Sequence, residues 1–435
     1  MKSFRSICIF TLAAVALPHS VAAQNYTFTN IADTAGSFSA FAGVYGGPRL
    51  NNSGAVSFIA QLDAGGSGVY RGDGVAIATI ADSSGPYFSF FTADINDAGQ
   101  VAFLAQSFPI GPGIFRGDGV TVNTIILQRD LPFDSSKLLD EGEPVVINNA
   151  GVVAFFAIGG GLPNNGIYVG SGGNITPVSN FTHRAFAPTI NNLGQVAYTY
   201  SPLSSTEQGI RVGNGGTTSF VIDNSGPYNV FFRPDLNDSN VVAVAATNDS
   251  GGVSVLRIDG GAVDVVAGPF TTASDVGINN AGDVAFMAQT STNVYSILTG
   301  PDSVANKVIR DGDALFGSTA TLLQGLTTID GPNDAGQIVF RYSLADGRQG
   351  VALATPNAML NGDFNCDGDV DGRDFLKWQR DTSVGNLADW QANYGTGIPL
   401  TSAATAAEAT SPVPEPGSLI LVVCSALLAP LAHRV

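Results

Sequence analysis

Short apolar runs, each entered through a polar turn, recur along the chain at intervals of 42 to 54 residues. In order they are LNNSGAVSFIA from Leu50, INDAGQVAFLA from Ile95, INNAGVVAFFA from Ile147, INNLGQVAYTY from Ile190, LNDSNVVAVAA from Leu236, INNAGDVAFMA from Ile278 and PNDAGQIVFRY from Pro332. A period in this range predicts a solenoid, a propeller or an array. Within each copy the Asn (51, 96, 148, 191, 237, 279 and 333) suits a turn in which its side chain bonds the backbone two residues on. The Gly three residues later accepts a positive φ, with Asn240 standing in for it in the fifth copy.

A second hairpin follows each first one, as in GVYRGDGVAIATI from Gly68 and GIFRGDGVTVNTI from Gly113. Asp-Gly and Asn-Gly pairs between alternating apolar residues are strong hairpin signals. Each unit therefore has four antiparallel strands, in the second unit roughly 87–95, 100–106, 113–116 and 120–127. The last unit ends after its third strand, at GVALAT, while YTFTNIADTAGSFSAF near the N-terminus aligns with a fourth strand and the first strand after it. A chain that opens on a fourth strand and closes on a third can complete one sheet from both ends and remove its open edges. The predicted fold is all-β: a seven-bladed β-propeller of about 46-residue repeats over 24–356, closed by the N-terminal strand.

Thirty-six acidic against nineteen basic residues give a net charge of −17, a field that repels phosphate backbones and argues against nucleic-acid binding. Residues 1–23 have the form of a secretory signal: Lys2 and Arg5, an apolar run from Ile7 to Leu17, and Val21-Ala22-Ala23 before Gln24. Export is expected, yet only Cys366 lies between the two targeting segments, so the fold has to be held by packing.

After Pro356 the composition changes. DFNCDGDVDGRD, Asp363 to Asp374, sets Asp363, Asn365, Asp367, Asp371 and Asp374 at the side-chain positions of a twelve-residue calcium loop, with Asp369 offering its carbonyl and Gly368 making the bend. One Ca2+ ion is expected there. The loop and the run FLKWQRD after it resemble the first half of a type I dockerin, an EF-hand-like, α-helical module. LADWQANYG (387–395) matches the second helix, but no ligand-bearing loop precedes it, which argues against a second ion and against a cohesin partner. This segment is assigned to 361–397 and a linker to 398–412.

The terminus 413–435 contains Pro414-Glu415-Pro416, an apolar run from Leu419 to Ala432 and a basic end, His433-Arg434. It resembles the PEP-CTERM sorting signal, which implies a C-terminal hydrophobic helix, membrane anchoring that is transient or permanent, and exosortase-type sorting machinery as a partner. The whole arrangement is similar to planctomycete-type surface proteins with HAF-like extracellular repeats. The expected location is the cell surface, outer envelope or extracellular space.

Material for catalysis is sparse. His183, in NFTHRAFAP, is the only histidine outside the targeting segments and is expected in a loop between strands. Asp73 and Asp118 in RGDG, and Asp97, Asp238 and Asp334 after the repeat Asn, read as solvent-facing turn residues spread around the ring. Asp140, Glu141 and Glu143 form the densest acidic group of the repeats, and Tyr87 and Tyr228, in matching SGPY segments, are candidate sugar-stacking aromatics. No catalytic residue and no organic cofactor is assigned. The expected function is non-enzymatic binding of a polysaccharide or an envelope protein; the alternative is a carbohydrate-active hydrolase or lyase using channel carboxylates.

Overall fold

The computed structural model describes residues 26–41, 46–131, 143–158, 166–179, 183–202, 206–322, 329–357, 360–364 and 370–396. The expected signal sequence, loop residues 365–369 and the expected sorting tail lie outside the described residues. Residues up to Thr396 form one compact unit, and the unit Gly397–Val435 lies wholly outside them.

Seven antiparallel sheets form the propeller. The second blade shows the plan: Tyr87–Ile95 innermost, then Val101–Ser107, Gly113–Gly117 and Val122–Leu127. The second strand of each blade is apolar on consecutive residues because both of its faces are covered by neighbouring blades. In Val101–Ser107 the residues Val101, Ala102, Phe103 and Ala105 are fully buried. The cores accordingly lie between blades: Leu104 and Ile114 of the second pack with Val153, Phe155 and Tyr168 of the third.

The seventh blade is built from both ends of the domain. Tyr26–Asp33 pairs antiparallel with Gln349–Pro356, matching Thr29 with Leu353 and Asn30 with Ala352. Ile31 and Ala32 then join Phe38, Val56, Phe58, Val339, Val351 and Leu353 in the core between the seventh and first blades. The predicted closure by the N-terminal strand is therefore present. A register shift between the third and outermost strands recurs in six blades, the exception being the third. Such bulges add twist, and no residue type in the sequence marks them.

Beyond the propeller, α1 (Gly372–Arg380) and α2 (Leu387–Asn393) are the two α-helices among the described residues. No helix there is long and apolar enough to cross a membrane.

Candidate binding site in the propeller channel

The repeat Asn residues do more than make turns. Asn51 Oδ1 accepts from the backbone N–H groups of Ser53 and Ala55, closing its own turn, and this leaves Nδ2 pointing at the next blade. There it donates to the carbonyl of Asn96 at 3.0 Å. The same bond runs from Asn96 to Asn148, to Asn191, to Asn237, to Asn279, to Asn333 and back to Asn51, all at 3.0 to 3.2 Å. All seven side chains are buried.

A second ring lies one residue further along each turn. The backbone N–H of Asn52 donates to Asp97 Oδ1, and the relay continues through Asn149, Asn192, Asp238, Asn280 and Asp334 before returning to Asn52, at 2.7 to 2.9 Å. Asn52 and Asn149 also donate side-chain N–H groups to Asp97 Oδ2. One position repeated in every blade falls at one radius, so these aspartates, read from the sequence as spread around the ring, line one channel mouth. Asn or Asp at that second position in all seven copies was the available signal, since a turn alone requires only the first.

Below the rings the inner strands carry charge. Arg49 Nη1 donates to Asp330 Oδ1 at 3.0 Å, and Asp330 Oδ2 accepts from the backbone N–H of Leu50. Asp94 Oδ2 accepts from the N–H of Ile147, while Asp235 accepts from Thr189 Oγ1 and from the N–H of Ile278. Each of these three carboxylates thus ties its own blade to the inner strand of the following one. Burial pushes the Asp94 carboxyl up to about 6, against the pull of Arg49. Burial also raises Asp235, and burial together with the charge of Arg49 draws Arg233 down to about 10. Burial pulls Arg49 down as well, but Asp330 and Asp94 outweigh it and leave this guanidinium raised.

These groups line a polar cavity of about 190 Å³ that extends from the Asn and Asp rings down to Arg49, Asp94, Asp235 and Arg233. A smaller one of about 30 Å³ lies against Arg49, Arg233, Asp275 and Asp330. The inner strands of the sixth and seventh blades come very close here. A Cβ on Gly277 would stand 2.0 Å from the carbonyl oxygen of Gly331, so the position excludes every other residue.

Other sequence candidates fall elsewhere. The RGD segments close hairpins: Asp73 Oδ1 accepts from the N–H groups of Val75 and Ala76, and Asp118 does the same for Val120 and Thr121. Their arginines clamp adjoining blades, Arg71 Nη1 donating to the carbonyl of Gly99 and Arg116 Nη1 to that of Gly151. Tyr87 packs edge-on against Phe103 and Phe115, and Tyr228 packs on the core shared by the fourth and fifth blades, so neither is a free loop aromatic. His183 opens the strand His183–Ile190 instead of lying in a loop. Glu143 Oε2 accepts from the N–H of Ala187 in the next blade; Asp140 and Glu141 lie outside the described residues.

In the expected calcium loop, Asp363 and Asp374 are buried. Asp374 Oδ2 accepts from the N–H of Asp371, which itself caps α1, and Trp390 Nε1 donates to the Asp371 carbonyl at 2.7 Å. Buried carboxylates at both ends of the loop are donors of the kind a hard cation takes. Asn365, Asp367 and Asp369 lie outside the described residues, and among those described no group of three or more acidic, His or Cys side chains is placed to hold a metal ion.

No curated protein matches the chain. Among solved structures it is similar to an oligogalacturonate lyase in complex with manganese, at 12% identity and a TM-score of 0.50, over 77% of this chain and 98% of that one. It is also similar to a puromycin-hydrolyzing peptidase of Mycobacterium tuberculosis, at 11% identity and 0.48, over 76% of this chain and 55% of that one. A third is the β-propeller domain of the Trilobed protease from Pyrococcus furiosus, described as having an open velcro topology, at 10% identity and 0.46, over 73% and 94%. At these identities the likeness is one of fold. A family profile matches residues 22–330, most of the propeller and more than half of the chain, and the protein belongs to that family, DUF7453, a family of unknown function.

Proposed function

We propose that this is an exported, non-enzymatic binding protein of the cell surface or extracellular matrix that takes a glycan in the mouth of the propeller channel. The polar cavity beneath the two Asn and Asp rings supports the reading, because it collects charged side chains from several blades in one concave place. The signal-like N-terminus and the PEP-CTERM-like tail support sorting by exosortase-type machinery, and the 363–374 loop supports a calcium-stiffened spacer between propeller and tail. A broad glycan array, probed with the full chain in calcium, tests the binding. Selective retention is expected, and a blank array from folded protein would sink the reading.

One observation favours a second reading, a hydrolase or lyase acting on polysaccharide. A carboxyl group held near pH 6, as Asp94 is, suits a proton donor or acceptor at neutral pH. Depolymerisation of an array-positive polysaccharide, abolished by Asp94→Asn, would establish it.

A further inference from the structure

Among the described residues the seventh blade alone carries an added hairpin. Ala314–Leu315 pairs with Ser318–Leu322, which pairs in turn with Ile338–Leu344, so the hairpin forms one edge of the sheet whose opposite edge is the closing strand Tyr26–Asp33. Its two-residue tip, Phe316 and Gly317, has φ values of 47° and 78°. A two-residue turn with both φ positive is a place for Asn-Gly. A bulky side chain there is an outlier that persists only where its surroundings over-determine it.

Two contacts hold Phe316 in that conformation, and each leads to the closing strand. The Phe316 carbonyl accepts from Arg348 Nη2 at 2.7 Å, and Arg348 Nη1 stands 3.8 Å from Asp33 Oδ2. The Phe316 ring lies against Tyr342, centroids 5.4 Å apart, and the Tyr342 hydroxyl donates to Asn30 Oδ1 at 3.1 Å. Asn30 Nδ2 donates to Asp33 Oδ2 at 2.8 Å, so the two routes meet within the strand. Arg348 is itself fixed, with Nε and Nη2 donating to Asp346 Oδ2 at 3.0 and 2.8 Å.

The point of attachment matters. Pairing between Tyr26–Asp33 and Gln349–Pro356 shifts register between Asn30 and Ala32. A bulge disrupts the ladder locally, so the contacts from Phe316 reach the closing strand where its backbone pairing is interrupted.

We infer that the hairpin Ala314–Leu322 is a strap that fastens the closing strand: its strained tip grips Arg348 and Tyr342, and through them ties the two edges of the seventh blade into one unit that opens together. When the closing strand leaves, Arg348 and Tyr342 lose their anchors in Asp33 and Asn30, and the tip loses the support for its strain. Neither Phe316, Tyr342 nor Arg348 lines the channel cavities, so the device is independent of what the channel binds.

Hydrogen–deuterium exchange of the full chain tests the strap, read in 26–33, in 314–322 and, as references, in the outer strands Ile77–Asp82 and Val122–Leu127 of the first two blades. In Arg348→Gln, exchange is expected to rise about tenfold or more in both 26–33 and 314–322, the scale of a lost hydrogen bond to a charged group, with the reference strands unchanged. Phe316→Asn separates a strap from a misfitted turn. Asn suits the turn, keeps the carbonyl and removes the ring, so exchange in 26–33 should quicken although the turn itself is relieved. Unchanged or slower exchange of 26–33 in Phe316→Asn would overturn the inference. So would a rise in Arg348→Gln that is absent, confined to one of the two segments, or equal in the reference strands.

Discussion

Asn333 in the last repeat donates its side-chain N–H to the backbone carbonyl of Asn51 in the first, 282 residues away, at 3.0 Å. The circle is thus closed twice, by a strand at the outer edge and by a side-chain amide at the channel. Both closures depend on residues of the first and last repeats meeting, which no local segment dictates.

Replacing one ring residue, as in Asn148→Ala, removes the donor to Asn191 and the acceptor for the N–H groups of Ala150 and Val152. Leaving buried partners unsatisfied costs about 1 to 3 kcal/mol. A lower urea midpoint with an unchanged slope is expected in equilibrium unfolding.

Deleting residues through Asp33 strips the outer strand from the seventh blade and uncovers Val351 and Leu353 along an unpaired edge. Self-association is expected, because an exposed apolar edge invites strand pairing. Light scattering of the truncated chain against the full chain checks it, and a monodisperse monomer would contradict the closure.

Gly99→Ala places a Cβ 2.5 Å from Arg71 Nη1 at a φ of 73°. A left-handed conformation costs a non-glycine residue about 1 to 2 kcal/mol, before the displaced arginine is counted. Thermal unfolding should show a loss at least that large, while Gly111→Ala, whose Cβ meets nothing, tests the conformational part alone.

Asp94 gives a pH signature. Its folded-state value near 6 stands above the unfolded 3.8, so the contribution from the protonated form is complete below about pH 4 and is lost as pH rises through 6. Arg49, Asp330, Arg233 and the Ile147 amide all face it. Asp94→Asn should therefore be more stable than the parent at pH 8, by at most about 3 kcal/mol, with the gap about halved at pH 5 and closed below about pH 4. Tm across that range decides it.

Both tryptophans of the chain, Trp378 and Trp390, lie in the dockerin-like segment, and Trp390 is bonded to the Asp371 carbonyl within the expected calcium loop. Tryptophan fluorescence therefore reports on that segment and not on the propeller. A spectral change on calcium addition, reversed by chelation and lost in Asp363→Ala, is the expected result.

The strands and their count were legible because VAFLA-type runs buried on both faces and Asp-Gly hairpins are local signals. The Asn turns were legible for the same reason. Their Nδ2 donors were not, since a repeat alignment does not say which amide faces the next blade. Arg49 and Asp330 are 281 residues apart, and neither sits in a motif. Tyr87 looked like a loop aromatic because the bend before it is rich in Gly and Pro, whereas its ring turns inward onto Phe103 and Phe115.

The Asn circuit also acts as a ruler. Seven identical side chains, each spanning from one inner strand to the next backbone carbonyl, set a common gauge for the bore, and no one blade can widen it alone without breaking a link. Variation is left to the tier beneath, where Arg49, Asp94, Val146, Thr189 and Asp235 differ from blade to blade. A sevenfold frame thereby encloses a cavity whose lining has no symmetry of its own.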